Sequence, residues 1–552
     1  MRGHAEALPQ KTPPYRNGSD PSRSHRVPRP KLDGATSGPP VASRDRLAHR
    51  IALVLLVLAA LYRLTLILHG WPSLDSDEAI VGLMARHILH NGEFPNFFWG
   101  QFYLGTLQAY FAAALFAVFG SSLVALRLPV LLLTLGLLAA VYLLGRAAFG
   151  RTAGLLTLAW LALGPPYPLI REIVAVGGHQ EMLLCAALLL LGVWYRLRQP
   201  LAPTRDAQAP EATPPRRSAI RLPGTGRLLA YYAGLGIVAG LGFWSDPLIL
   251  PVLLATAVAL LFGRTREILS RYGLIFVLGF VLGALPFLVF NVTNHGASFT
   301  QIVTQRSLPG QSRGLPSLAS WQSQIGETLA VALPVTLGSP HVCVTQGAIW
   351  NWYPSALVQA TPTAGICQAA NILFSLGALA LYLAAAWPAL LALRRWSRTL
   401  PDRLRSLRTS RFRAAPQSSW RARLGSRHSP RAASSDPRSS PPSSSSVSSV
   451  VHSDSAALWL RSMLLFIALF TLAAYASGAD AQQNQFTAAR YLIPLYLTVP
   501  LLFGALWTGV APLLVPLART ISSSLSLARA GGLRGSAPRR RFIRRPSSPS
   551  SV

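Results

Sequence analysis

The stretch that decides the fold reads IALVLLVLAALYRLTLIL over residues 51–68 and WPSLDSDEAIVGLMARHILHNGE over residues 71–93. The first part is an apolar run long enough for a transmembrane helix. The second part places the carboxylates of Asp75, Asp77 and Glu78 at the mouth of that helix. The chain has only 19 acidic residues against 51 basic ones, and acids are costly near hydrocarbon. The sequence therefore predicts a membrane protein with a polar site where its first helix ends.

The residues that follow Asp77 form an amphipathic pattern, because apolar side chains recur at helical spacing with Arg86, His87 and His90 between them. This pattern predicts a helix that lies along the membrane surface with the acids at its start. Two interpretations of the acids stay open. They complement the helix dipole, or one of them is catalytic, which the position beside the membrane favours. The apolar positions are Ile80, Val81, Met84, Ile88 and Leu89.

Composition places the chain among polytopic membrane proteins. Hydrophobic residues make up 51% of the 552 residues and the mean hydropathy is +0.37. We predict an all-α bundle of about ten or eleven transmembrane helices. The polar residues before the first run show no cleavable signal, so the first helix is expected to be an uncleaved signal anchor. The predicted spans are 51–69, 123–145, 152–169, 182–196, 229–245, 249–263, 272–291, 371–393, 456–476 and 491–517, and the segment 103–119 is ambiguous.

A net charge of +32 would suit a nucleic-acid-binding protein, but the position of the charges argues against that class. The arginines concentrate in the tails and in loops between apolar runs, where the positive-inside rule places cations in the cytoplasm. The same segments are rich in Ser and Pro, which predicts disorder over 1–48, 399–454 and 528–552. We expect topology signals and solvated linkers, with contact to anionic lipid head groups as the alternative.

These features divide the chain into segments and predict a multi-pass protein of the plasma membrane with both tails in the cytoplasm. The segments are a disordered basic tail (1–48), an N-terminal transmembrane module (49–300), an extracytoplasmic loop (301–370), a transmembrane helix (371–396), a disordered basic cytoplasmic insert (397–455), C-terminal transmembrane helices (456–517) and a disordered basic tail (518–552).

The charge-based topology puts most of the acids on the outer side. With residues 70–100 outside and the basic loop 146–151 inside, only an odd number of crossings fits between them. We therefore expect the segment 103–119 to lie at the interface or to re-enter the membrane. The charged and histidine residues predicted at the outer face are Asp75, Asp77, Glu78, Glu93, Glu172, Glu181, Asp246, Glu327, Asp480, Arg171, His179 and Arg490.

Carboxylates, histidine and arginine above apolar helices suit a transferase that acts on a lipid-linked phosphate, because a base and a phosphate-binding cation or metal are needed there. Arg490 suits the phosphate, since guanidinium binds it in a planar, bidentate way and keeps its charge. An interfacial anchor formed with Tyr491 is the alternative. Asp246 either binds substrate or caps the helix that begins near Pro247, and capping is favoured.

Two of the three cysteines, Cys343 and Cys367, lie in the long loop 292–370 that is predicted to be outside. An oxidising compartment allows a disulfide between them. Cys185 lies inside a predicted span and is expected to be a core residue.

Four short signatures occur in order along the chain. They are Asp77-Glu78 within LDSDEA, FGSSLVALRLPVLL at 119–132 with Arg127 as its arginine, LGRAAFGR at 144–151, and AARYLIPLY at 488–496. Together they resemble the bacterial glycosyltransferases of the GT-C superfamily, close to the family 39 group that includes protein O-mannosyltransferases and lipid A aminoarabinose transferases. The resemblance covers about residues 50–300 and 456–515 in order and hydropathy.

The resemblance implies a polyprenyl-phosphate sugar donor, inversion at the anomeric carbon in one displacement, and an outer-face active site. It makes Asp77 the catalytic base and Glu78 its partner, and Glu181 in GGHQEML is the nearest, loose match to a second acidic position. A divalent metal held by Asp77 and Glu181 is the cofactor that it allows. His179 could join a metal site or contact the sugar, although a histidine satisfied by hydrogen bonds is the commoner case. The expected substrate-binding residues are Arg490, Arg127, Glu181, His179, Tyr491 and Asp75.

Two other functions stay open. A transporter or flippase of lipid-linked sugars predicts inverted repeats and polar residues at mid-membrane depth, whereas no convincing repeat is visible and the charges cluster at the outer face. A scaffold acting through its basic tails leaves the carboxylates unexplained. The sequence therefore favours a transferase whose acceptor is a lipid, a glycan or a protein, on the grounds of site placement.

Overall fold

The computed structural model describes residues 41–199, 225–305, 318–339, 364–413, 445–476 and 489–510. Within these ranges the chain is almost entirely helical, so the predicted all-α class is confirmed apart from one short hairpin.

The first helices are α1 (Val41–Leu68), α2 (Ser76–Asn91), α3 (Leu107–Phe119), α4 (Leu123–Phe149), α5 (Arg151–Leu163), α6 (Pro166–Arg171), α7 (His179–Arg198) and α8 (Thr225–Ser245). After a 3-10 turn at Pro247–Ile249 come α9 (Leu250–Gly263), α10 (Thr265–Ile268), α11 (Arg271–Gly283), α12 (Leu285–Thr293), α13 (Ala297–Gln305), α14 (Leu318–Glu327), a π-helical turn (Thr328–Ala332), α15 (Leu333–Leu337), α16 (Ala364–Arg413), α17 (Ser445–Ala476), a 3-10 turn (Ala489–Leu492) and α18 (Leu495–Val510).

Six described helices are long and apolar enough to cross a membrane, namely α1, α4, α7, α8, α16 and α17. The pair α11 and α12 would make a seventh span, although the two helices are bent by 66° where they meet. The multi-pass prediction is therefore confirmed, with fewer full-length spans than expected. Three predicted spans, 152–169, 249–263 and 491–517, contain the shorter apolar helices α5, α9 and α18. A helix of 13 residues such as α5 is about 20 Å long, which is less than the hydrocarbon core of a bilayer.

The ambiguous segment 103–119 does not form one long helix. Its start belongs to an antiparallel hairpin, β1 (Phe97–Phe98) and β2 (Gln101–Gly105), and the rest forms α3. With only 13 residues, α3 is shorter than a straight transmembrane helix, so its predicted place at the interface or in a re-entrant loop stays a prediction. The hairpin was not predicted, since two residues in one of its strands leave no periodic signal in the sequence.

Helices α8 and α11 pack backbone to backbone through small residues. A Cβ added at Gly236 or Gly240 of α8 would collide with the backbone of α11, and the same holds for Gly279 and Gly283 of α11 against α8. Spacing small residues four apart allows transmembrane helices to approach this closely. The contact fixes the end of α8, where Ser245 lies against the site described below.

Two helices border the insert that was predicted to be disordered. Helix α16 continues to Arg413 and α17 begins at Ser445, so both overlap the range 399–454 for which the composition predicted disorder. Residues 414–444, like the tails before residue 41 and after residue 510, lie outside the described residues.

Candidate functional site

The start of α2 is built around Asp75. The carboxylate of Asp75 accepts the backbone N–H of Glu78 at 2.7 Å, and the residue has the extended backbone of a helix N-cap. Asp77 follows in the first turn and is partly exposed. The predicted helix with acids at its start is therefore confirmed, while its place along the membrane surface stays a prediction. Capping is done by Asp75, which leaves the expected catalytic role of Asp77 compatible with the fold.

The electrostatics of this helix start act most on Asp75. Burial raises the pKa of the Asp75 carboxyl to about 6, from an ordinary value of 3.8. The negative charges of Asp77 and Glu78 raise that pKa further, while the capped backbone N–H and the cation of Arg171 lower it. The mouth of the first helix is thus a cluster of acids partly balanced by one arginine.

Glu78 and Arg127 form a fully buried ion pair. The Nε and Nη2 atoms of Arg127 each donate to a different carboxylate oxygen of Glu78 at 2.7 Å, and both side chains have no exposed surface. The same guanidinium donates to the carbonyls of Trp71 and Pro72 at 3.1 and 2.8 Å. Both residues thus lie inside the protein, whereas the sequence led us to expect them at the substrate. The pair ties the loop before α2 to α4, which is the geometry of a brace.

Residues 171–181, REIVAVGGHQE, are all buried, and we call them the buried segment. A buried stretch with little regular structure must satisfy its backbone polar groups through side chains. The buried segment does so from several helices. The donor and acceptor pairs are Thr134 Oγ1 to the Glu172 carbonyl at 2.8 Å, Gln180 Nε2 to the Arg171 carbonyl at 2.8 Å, the Ala175 N–H to Glu78 at 3.3 Å, and Gln108 Nε2 to the Gly177 carbonyl at 2.9 Å.

Arg63 and Glu172 form a second buried ion pair, which the sequence analysis missed. Arg63 lies within the apolar helix α1, and its Nε donates to Glu172 at 3.1 Å. Its other donors reach the carbonyls of Leu161 and Ala162 at 3.0 and 2.9 Å, where α5 ends. A lone arginine inside an apolar run was the available signal, because such a residue needs a partner within the bundle.

Two glycines let the buried segment pass under α8. Gly177 has a φ of +93°, which favours glycine. A Cβ at Gly178 would collide with the backbone oxygen of Ser245. The pair GG in GGHQEML therefore marks a close backbone approach, which sets His179 at the start of α7 against the end of α8.

His179 and Asp246 meet at this approach. The imidazole Nδ1 lies 2.5 Å from Asp246 Oδ2, and the two side chains are 6% and 2% exposed. Asp246 Oδ1 accepts the N–H of Leu248 at 2.9 Å, so the predicted cap is confirmed. The carboxylate of Asp246 is thus hydrogen-bonded to both His179 and Leu248.

Glu181 lies two residues after His179 in the first turn of α7, and a side chain of α3 holds it. Its Oε2 accepts a hydrogen bond from Gln108 Nε2 at 2.8 Å, while its buried Oε1 has no partner. Within the described residues, no group of three or more His, Cys, Asp or Glu side chains is placed to hold a metal ion. Glu78 is paired with Arg127 and both oxygens of Asp246 accept hydrogen bonds, so neither carboxylate has an oxygen without a partner to offer a metal. The metal role expected for Asp77 and Glu181 stays a prediction.

The late signature AARYLIPLY is described only in part. Residues Ala489–Leu492 form a 3-10 turn and Tyr491 is partly buried, but the side chain of Arg490 lies outside the description. Cys367 is disulfide-bonded, whereas Cys343 falls outside the described residues, so their pairing stays a prediction. Cys185 is free and largely enclosed by its helix neighbours.

Comparison with known proteins adds a match to one segment. The family model of dolichyl-phosphate-mannose-protein mannosyltransferases matches residues 105–200, which run from the end of β2 through α7. A comparison with curated protein sequences finds no match. The matched range contains the buried segment and its supports Gln108, Arg127 and Thr134.

Solved structures give distant similarities. The crystal structure of ArnT from Cupriavidus metallidurans bound to undecaprenyl phosphate is 14% identical, with 86% of this chain and 79% of that chain covered and a TM-score of 0.34. The archaeal oligosaccharyltransferase AglB from Archaeoglobus fulgidus, in complex with an inhibitory peptide and a dolichol-phosphate, is 15% identical, with 86% and 52% covered and a TM-score of 0.35. Scores this low give no residue-by-residue correspondence. Over residues 105–200 the chain is similar to the dolichyl-phosphate-mannose-protein mannosyltransferases, which agrees over that segment with the resemblance predicted from the sequence.

Proposed function

We propose that the protein is an integral membrane glycosyltransferase that moves a sugar from a polyprenyl-phosphate donor to a lipid, glycan or protein acceptor on the extracytoplasmic face. One observation carries the proposal: the family match covers α3 to α7, and the buried segment inside it is bonded through Ala175 to Glu78 of α2. The acids at the start of α2 therefore belong to the same polar centre as the matched segment.

In this proposal Asp77 is the general base. It accepts the proton of the acceptor hydroxyl while the hydroxyl oxygen forms a bond to the anomeric carbon. The bond from that carbon to the phosphate oxygen breaks on the opposite side, and its electron pair leaves with the polyprenyl phosphate, so the configuration inverts. Partial exposure and membership of the first helical turn support this role for Asp77.

Glu78 and Arg127 are assigned a positioning role. Their mutual hydrogen bonds and complete burial leave neither group free to meet a substrate, but they fix the loop on which Asp75 and Asp77 lie. The donor phosphate is assigned to Arg490, on the strength of its permanent bidentate cation and its place in AARYLIPLY at the start of a membrane segment.

An apolar groove suits the prenyl chain of the donor. It has a volume of about 540 Å³ and lies among α5, α15, α16 and α18. Its lining includes Trp160, Leu337, Phe374, Tyr382 and Leu502. Most of this lining is apolar, so a hydrocarbon chain can pass from lipid into the groove without losing apolar surroundings.

The test is a transfer assay with the full chain in proteoliposomes, supplied with polyprenyl-phosphate mannose carrying a labelled sugar and with a membrane extract as the acceptor source. We expect release of unlabelled polyprenyl phosphate together with label in a new product. The alternative, a flippase of lipid-linked sugars, would carry the intact labelled lipid across the bilayer without breaking its bond. Protein-dependent flipping with no cleavage of any of several polyprenyl-phosphate sugars would contradict the transferase.

A further inference from the structure

The proton on the imidazole of His179 can be placed from its partners. Both oxygens of Asp246 accept hydrogen bonds, one from the N–H of Leu248 and one from the ring of His179. A carboxylate has no proton to donate, so Nδ1 of His179 must be the N–H that donates to it. In the neutral tautomer with its proton on Nδ1, Nε2 is a lone-pair acceptor whose direction is fixed by the bond to Asp246.

The second ring nitrogen has been left without a partner. Among the described residues, the bond from Nδ1 to Asp246 is the hydrogen bond that the ring makes, although the side chain is only 6% exposed. Glu181, two residues later, has a buried oxygen, Oε1, that is also without a hydrogen-bond partner. Buried polar atoms are normally satisfied, so this oxygen, in the same helical turn as the open ring nitrogen of His179, calls for an explanation.

The chemistry of these two atoms indicates what would satisfy them. A lone-pair nitrogen and a carboxylate oxygen beside the carboxylate of Asp246 form an electronegative surface, which repels a phosphate and attracts groups that carry hydrogen-bond donors. Hydroxyl groups fit such a surface, and a sugar presents several of them. A site built to hydrogen-bond a hydroxyl also discriminates strongly against a ligand that lacks it.

We propose that Nε2 of His179 accepts a hydrogen bond from a hydroxyl of the donor sugar, with the ring held by Asp246. The inference rests on the proposed function and deepens it, because it separates the sugar-recognising end of the site from the phosphate-binding end. His179 would then set how well a sugar-bearing lipid is distinguished from the bare polyprenyl phosphate that is left after transfer.

Two substitutions separate this role from a structural one. His179→Asn keeps an N–H close to the position of Nδ1 for Asp246 and removes the atom at Nε2. His179→Gln does the reverse, since it can place a polar atom near Nε2 but offers Asp246 no matching donor. If His179 were purely structural, His179→Asn would keep the thermal stability of the wild type and His179→Gln would lower it. Neither variant would then change its preference between lipids.

The measurement is the affinity of the full chain in detergent micelles for polyprenyl-phosphate mannose, glucose or galactose, relative to bare polyprenyl phosphate. For the sugar that the wild-type chain prefers, His179→Asn should lower the affinity about three- to tenfold, the loss expected for one hydrogen bond, and should leave bare polyprenyl phosphate unaffected. His179→Gln should retain more of the preference.

An unchanged preference in His179→Asn, or an equal loss for both lipids, would overturn the inference, as would a wild-type chain that binds all the lipids equally. These results leave the proposed function standing. A wild-type chain that fails to bind bare polyprenyl phosphate at all would instead count against the proposed function, and against this inference with it.

Discussion

The start of α2 and the buried segment both carry acids at the predicted outer face, but the surroundings of these acids differ. Glu78 and Glu172 are closed off in ion pairs with Arg127 and Arg63. Asp77, beside Glu78 in sequence, stays partly exposed. The difference teaches that residue type alone does not identify a reactive acid. An acid whose charge is balanced by a buried arginine holds the architecture, while an acid that reaches solvent, as Asp77 does, meets one requirement for a reactive group.

Removing the arginine partner of a buried acid should have the largest effect. Arg127→Ala leaves the buried carboxylate of Glu78 without its partner and should destabilise the protein by about 3–5 kcal/mol, to be read from thermal unfolding in detergent. A matched double variant, Arg127→Leu with Glu78→Leu, removes both charges and should recover much of that loss. If Arg127→Ala melts like the wild type, the pair is not a brace.

Asp77→Asn should abolish function without touching stability. The amide keeps the shape of the side chain but cannot accept the proton of the acceptor, so sugar transfer should fall at least about 100-fold. Asp75→Asn is the control and should affect transfer far less, because asparagine also caps helices. Transfer close to the wild-type rate, at equal protein levels, would remove Asp77 from the mechanism.

Variants of Arg490 test the assignment of the donor phosphate. Arg490→Lys keeps a charge but loses the planar fork, and Arg490→Ala loses both. We expect bare polyprenyl phosphate to bind about ten- to a hundredfold more weakly to Arg490→Ala, with Arg490→Lys in between. Wild-type affinity in both variants would indicate an interfacial anchor and redirect the search to Arg171.

The cap of α2 should give a smaller effect with a distinctive dependence on pH. Asp75→Ala should cost about 1 kcal/mol of stability, and Asp75→Asn should not. The pKa of Asp75 is about 6 in the folded protein against an ordinary 3.8. Between these pH values the folded state binds more protons than the unfolded state, so stability should fall as the pH rises from about 4 to about 6. That slope should be reduced in Asp75→Asn, as measured by melting temperature across the range.

The smallest effect is expected from the insert between α16 and α17. Deleting residues 420–450 should leave folding and transfer near their wild-type values, because a segment rich in Arg, Ser and Pro cannot bury a core. Transfer rate and melting temperature of the deletion variant check this. Since α17 begins at Ser445, a deletion ending at residue 444 is the control if the longer one reduces stability.

Features of the site that depend on neighbouring residues could be predicted from the sequence. Contacts between residues that are far apart in the chain could not. LDSDEA followed by apolar residues at helical spacing predicts α2 and its acidic start, since capping and amphipathicity are local. The ion pair of Glu78 and Arg127 joins two positions that are 49 residues apart in the chain. Adjacent residues of a helix point about 100° apart, so Asp77 and Glu78 meet different surroundings although their sequence context is the same. The length of each apolar helix could not be predicted for a similar reason, because hydropathy measures composition and not where a helix bends or ends.

The pair of Arg63 and Glu172 has a consequence for the order in which the protein is made. Their positions are 109 residues apart, and the first helix emerges from the ribosome long before its partner. Until residue 172 and the end of α5 arrive, a guanidinium in the first apolar helix has no acid and no carbonyls to bind, which is costly in hydrocarbon. The first helix therefore enters the membrane before the guanidinium of Arg63 has its hydrogen-bond partners. It is retained in a shallow or hydrated position, or by the insertion machinery, until the fifth helix closes over it.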